Sequence, residues 1–432
     1  MNNNKLVTAF LHALCWNAFS YGTYKVCSLF LSYALYATLN QKDFATWATL
    51  MSFIFFWLLM LDCGLRKSVP RFCPEFSSAK SLHRRFVRWI CAVQMLVLFG
   101  AVPFFYWLLP HFFQRIHVHP ADSLVVIVGT ILFFLQGCLG LMRIIYHAHF
   151  WNKQFNSLAT SVVAIECVLS LFFCFLSGYV TWLPTPWLLQ SILITNCVGA
   201  LCVTVISFCI MPQVAIVELD NPTTARSIQH TKQFIIHTLF MWGSNTIKAL
   251  SERNFLFPYV LYSLGPTTGI AFKLTNDAAL FFYRLAVKTV GINDTALLSY
   301  ARHSPDGTKG AFSHLLRTII YMVIPLLTLA LAGALFVHYF YMPSTLLLLP
   351  FCIFICGYMT ELLLSPYERI LEVSLSYKLL SIAYIPYVIM LVCMLYWQVI
   401  TLLGLVPFIA LIQALRIMSA LIMVYAARQK IE

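Results

Sequence analysis

The sequence has 432 residues, of which 61% are hydrophobic and only 10% charged, with a formal net charge of +13. A soluble domain is nearer a quarter charged, so this composition excludes a water-facing globular surface over the whole chain. In a soluble protein the basic balance would point to nucleic acid; here basic cytoplasmic loops account for it, and nucleic acid is not an expected partner.

Apolar runs long enough to cross about 30 Å of hydrocarbon as helix fall at 9–38, 44–65, 86–109, 122–146, 156–180 and 187–211. Six more follow at 234–262, 266–290, 312–340, 344–365, 376–398 and 402–427. The first run is too long for a signal-peptide core and has no small-residue cleavage site, so it reads as a retained helix. Pro110, Pro184, Pro186, Pro212 and Pro343 punctuate loops, while Pro103, Pro258, Pro325 and Pro386 lie within runs and predict kinks. The fold class expected is an all-α polytopic membrane protein, with about 12 transmembrane helices in two six-helix lobes around a central cavity.

Lys and Arg set the orientation. The loop after the second run carries Arg66, Lys67, Arg71, Lys80, Arg84, Arg85 and Arg88, and that after the eighth adds Arg302, Lys309 and Arg317. Arg143 and Lys153, Arg226 and Lys232, and Arg369 and Lys378 mark three further even-numbered loops, against Lys42 and Arg115 in odd ones. With Lys5 near one end and Arg428 and Lys430 near the other, both termini are expected in the cytoplasm. The polar stretch from Met211 to Lys232 reads as a linker, predicting lobes at 1–216 and 217–432. Lys25 and Lys248, and Lys67 and Lys288, echo one another between the halves. Neither a GxxxxGK[ST] nor a GxGxxG stretch occurs, and no loop could house a catalytic domain; ATP hydrolysis and a cofactor are not expected.

Most of the fourteen cysteines lie in apolar runs, where they act as small hydrophobes rather than disulfide partners. His111, His117 and His119 have only Asp122 beside them, too little for a metal site. Ionisable residues within spans carry more information, since each is costly unless it meets water or a partner. The first run holds Lys25; the seventh holds Lys248, Glu252 and Arg253; the eighth holds Lys273, Asp277, Arg284 and Lys288. Lys248 and Glu252, and Lys273 and Asp277, are four apart and share helix faces. Counting Lys25, Lys248, Arg253 and Lys273 against Glu252 and Asp277 leaves a basic excess suited to an anionic passenger. The plainer reading is snorkelling or packing ion pairs, favoured for Arg284 and Lys288. Asp62, Glu166, Glu361 and Arg416 stand isolated in sequence, each a candidate proton site or a structural residue.

The segment LLMLDCGLRKSVPRFCPEF, Leu58 to Phe76, has a helix ending in an acidic-Cys-Gly-Leu turn, followed by bases, Arg-Phe and Pro-Glu. Together with YKLLSIAYIPYVIM, Tyr377 to Met390, and the twelve-run count, it resembles the polysaccharide transporter branch of the multidrug/oligosaccharidyl-lipid/polysaccharide (MOP) superfamily. The chain departs from that pattern at Phe44-Ala45, where members usually have Phe-Gly, and in its Cys and His content. The resemblance implies a non-enzymatic flippase in the bacterial inner membrane, moving an undecaprenyl-pyrophosphate oligosaccharide by alternating access for O-antigen or other surface polysaccharide. It implies membrane lipid, a polysaccharide polymerase and chain-length proteins as partners. Lys25, Lys248, Arg253 and Lys273 would then hold the pyrophosphate, with Glu252 and Asp277 orienting them and Trp242, Phe281 and Tyr283 stacking on sugars. Two alternatives stand: a cation-coupled multidrug or metabolite exporter of the related branch, or a glycan polymerase or ligase.

Overall fold

The computed structural model describes residues 3–76, 80–115, 123–148, 152–179, 185–210, 224–251, 253–290, 307–340, 345–374 and 377–431. Among them every regular element is a helix, the economical way to satisfy backbone groups in hydrocarbon. Two compact units are present, Met1–Ala249 and Leu250–Glu432. The first holds α1 (Asn3–Thr38), α2 (Gln41–Met60), α3 (Leu65–Phe76), α4 (Lys80–Arg115), α5 (Ser123–Ala148), α6 (Asn152–Tyr179), α7 (Thr185–Ile210) and nearly all of α8 (Thr224–Ser251). The second holds α9 (Arg253–Leu264), α10 (Pro266–Val290), α11 (Gly307–Phe340), α12 (Thr345–Val373), α13 (Tyr377–Tyr396), α14 (Val399–Leu403) and α15 (Leu405–Ile431). The division between Ala249 and Leu250 thus falls inside the seventh apolar run, whereas the linker read from sequence lies earlier and is largely outside the described residues.

Among the described residues eight helical stretches are long and apolar enough to cross a membrane: Gln41–Met60, Arg84–Arg115, Ser123–Tyr146, Lys153–Leu176, Trp187–Ile210, Leu315–Phe336, Leu347–Glu372 and Leu405–Arg428. Ile382–Tyr396 is a shorter one. The result is a multi-pass membrane protein, with side chains such as Leu96, Val168, Phe175, Leu239 and Tyr425 left on outward faces.

Local chemistry explains where several elements start and stop. The Asn40 side chain caps α2 by accepting from the Asp43 N–H at 2.8 Å. The helix stops at Met60, short of its expected end, because Cys63 (φ 50°) and Gly64 (φ 76°) take left-handed conformations. The basic stretch that follows, expected as loop, is the short helix α3. Leu65, Val69 and Phe72 lie on one face, at spacings of four and seven, and pack with Phe86, Ile145, Phe155 and Phe234. Pro110, expected in a loop, sits inside α4.

Helix pairs within each unit are tied by polar contacts that also reveal direction. Asn17 with Asn156, Ser20 with Thr160, and Cys27 with Cys167 climb together, so α1 and α6 are parallel. Cys197 with Val128 and Ser207 with Tyr146 show the same for α5 and α7. In the second unit, α12 and α15 form the most extensive pair. Gly357 makes a seat for Gln413, whose Oε1 occupies the space a Cβ would fill, and Glu361 meets Arg416 one turn on.

Candidate functional site

Lys273 and Asp277 are the two candidate passenger-binding residues whose side chains are described. Their spacing produces the contact it predicts: Lys273 Nζ lies 2.6 Å from Asp277 Oδ2, with Lys273 itself only 4% exposed. An ammonium so buried is neutralised within its own helix. The side chains of Lys25, Lys248, Glu252 and Arg253 lie outside the described residues. Of the aromatic candidates, Trp242 donates its indole N–H to Met60 O at 2.6 Å. Tyr283 stacks on Tyr358, centroids 5.1 Å apart, and Phe281 meets Phe282 edge-on.

Tyr358 is the centre of a network in the second unit that the sequence does not announce. Its hydroxyl donates to Asn276 Oδ1 at 3.2 Å, Phe354 stacks alongside, and the Arg416 guanidinium lies 5.0 Å from its ring centroid. Arg416 Nη2 is 2.6 Å from Glu361 Oε2. Glu361 and Arg416, isolated in sequence, are therefore partners in space. Nearby, Arg369 Nη1 pairs with Glu372 Oε2 at 2.7 Å, and the Tyr384 hydroxyl donates to Glu368 Oε1 at 2.9 Å. Among the described residues of this unit, each carboxylate thus has a base or a hydroxyl against it.

In the first unit three polar groupings occur. The α2–α3 turn is fastened by Trp242 on Met60 O and by Gln94 Nε2 on Leu61 O at 3.0 Å. Gly64 there lies directly against the α8 backbone at Thr238 and Trp242. Asp62 accepts from the Arg66 N–H and from Asn245 Nδ2, both at 3.4 Å, and Ser68 Oγ lies 2.9 Å from His237 Nδ1. Asp62 lies past the end of the span Gln41–Met60, and its burial pushes the carboxyl above its usual range against the pull of Arg66 and Lys67.

The second grouping surrounds Arg143, which sequence reading treated as a loop marker. Its guanidinium is 5.8 Å from the Phe155 ring centroid and within electrostatic range of Tyr21, Tyr24 and Arg66. The only signal that could have found it is its place at the inner end of a span, among otherwise apolar residues. The third is Glu166, whose carboxyl fills the niche above Gly199 on α7 and has Cys197 nearby. No base accompanies it among the described residues.

No family model matches the sequence, and no curated protein matches it. Solved structures do. A multidrug resistance MATE family transporter of the MOP superfamily, in an outward-facing conformation, aligns over 98% of this chain and 95% of its own, at 13% identity and a TM-score of 0.65. A MATE in complex with MaL6 gives 12% identity, 98% and 96% coverage and 0.63. A MOP superfamily transporter from Pyrococcus furiosus Vc1, described by a reverse polarity of its binding pocket, gives 12%, 98% and 96%, and 0.58. At 12–13% identity this likeness concerns architecture alone and selects no branch of the superfamily. The chain therefore has the all-helical fold of MATE transporters of the MOP superfamily.

Proposed function

We propose that the chain is a secondary transporter working by alternating access, and that its passenger bears phosphate: a lipid-linked oligosaccharide turned from the inner to the outer leaflet. The fold supports the transporter reading. One observation carries the choice of passenger: among the described residues of the second unit, every carboxylate is already engaged, by Lys273, Arg369, Arg416 or Tyr384. An organic cation would find no open acid there, whereas Arg143 in the first unit has no carboxylate acting on it among the described residues. Lys25, four residues after Tyr21 in sequence, adds a further base to the first unit.

A second reading is export of small amphiphilic molecules. The solved neighbours fit it at least as well as the flippase, one of them being a multidrug resistance transporter. Glu166 supplies a residue for it, since a carboxyl at membrane depth with no base beside it is suited to carry a proton or face a cation. Purified protein in proteoliposomes separates the two with a pair of probes, ethidium and a short-chain polyprenyl-pyrophosphate disaccharide. Leaflet exchange of the glycan lipid without ethidium movement is expected. Ethidium movement with no exchange would transfer the assignment to the exporter.

A further inference from the structure

We propose that Arg143, Arg66, Tyr21 and Tyr24 form a binding subsite for a phosphate or pyrophosphate group within the first unit. This deepens the phosphate-bearing passenger reading above and rests on it. Along α5, Leu141, Met142, Ile144, Ile145 and Tyr146 are all buried, and Arg143 alone between them is exposed. Yet the helix is not at the edge of its unit, for α2, α3, α4, α6 and α7 all pack on it. Arg143 lies over the Phe155 ring on α6 at 5.8 Å, and the phenols of Tyr21 and Tyr24 on α1 and the guanidinium of Arg66 at the start of α3 are near enough to act on its charge. An exposed guanidinium on a helix so packed, with groups of α1, α3 and α6 acting on it, is placed to meet a polar group.

The charge balance points to the group this arginine takes. Two guanidinium groups within range of one another repel. Asp62, held to the Arg66 N–H, is also close enough to offset the Arg66 charge in part, but among the described residues no carboxylate acts on Arg143. An anion between them would relieve that repulsion and use the planar forks that suit phosphate oxygens. The flanking chemistry is also donor-rich. Asn17, four residues before Tyr21 on the same α1 face, is 4% exposed; its Oδ1 accepts from Asn156, the neighbour of Phe155, while its Nδ2 has no acceptor. A buried amide donor left open is costly unless something fills it. Lys153, over the Trp16 ring at 5.7 Å, adds a third cation at this end of α1 and α6.

The competing account is a snorkelling arginine that anchors the cytoplasmic end of α5. It predicts no ligand, and so the two separate cleanly. Calorimetry on the full chain in detergent, with farnesyl pyrophosphate and inorganic pyrophosphate as probes, makes the test. Arg143→Gln is expected to weaken binding by about tenfold or more, and Arg143→Lys by less, since it keeps charge but loses the fork. Arg88→Gln, exposed on α4, is the control and should bind as the parent does. Should Arg143→Gln aggregate, Arg143→Lys and Tyr24→Phe carry the comparison, each expected to fall by about threefold. Tighter binding of the prenylated probe makes the ligand a lipid headgroup; equal binding makes it a free phosphate, and both uphold the site. Parental binding by Arg143→Gln, an equal loss in Arg88→Gln, or no binding of either probe to the parent overturns it. Loss of binding in Arg143→Gln beside intact ethidium export would keep the site and refute the lipid-linked passenger. Unchanged binding beside intact glycan exchange would refute the site alone.

Discussion

Asp62 illustrates how far a single residue's behaviour depends on contacts its sequence neighbours do not predict. The acid stands before a run of bases, which alone would hold it ionised, but burial against α8 wins. A folded-state pKa raised above the unfolded one stabilises the fold at low pH, and that contribution is lost as pH rises past the ordinary aspartate range. Asp62→Asn keeps an acceptor for Asn245 and the Arg66 N–H without the charge. Its melting temperature in detergent is expected to exceed the parent's at pH 8, the gap closing towards pH 4; a gap that widens on acidification would contradict this. At this scale legibility followed sequence distance. Lys273 and Asp277 could be paired from helical spacing alone. Glu361 and Arg416 could not, because nothing local brings residues of different helices together.

Among the elements, hydropathy located the spans well and their interruptions poorly. Breaks such as Cys63–Gly64 and Gly404 depend on single left-handed residues, which leave average hydropathy untouched. The helix α3 was hidden by its bases, although Leu65, Val69 and Phe72 carry a helical period that could have been read. The α12–α15 seam rests on a different economy: Gly357 lets Gln413 lie against the helix backbone. A methyl group there would fall on Gln413 Oε1, and the neighbour is a buried side chain with little freedom to withdraw. Gly357→Ala is expected to destabilise the second unit by about 1–3 kcal/mol, measured as a shift of the denaturation midpoint. An unchanged midpoint would mean that the seam yields freely.

For the whole molecule, the helix packing agrees with the alternation of spans read from hydropathy, and the basic loops give that alternation its direction. Runs one and five, four and six, and ten and twelve should cross the membrane the same way if successive runs alternate. The helices they form, α1 with α6, α5 with α7 and α12 with α15, are indeed parallel. A fluorescent protein fused after Glu432 is therefore expected to fluoresce and alkaline phosphatase to be inactive; the opposite pattern would invert the topology. The motif Leu58 to Phe76 led to the MATE-like fold but not to a branch, since it lies in a turn that positions helices and not in groups that choose a passenger. That turn has one more implication. Trp242 and Gln94 grip it through the main-chain oxygens of Met60 and Leu61, whose side chains take no part in either bond. Residues 60 and 61 can therefore drift freely through evolution while the joint endures, which is one way an architecture outlives resemblance at 12–13% identity.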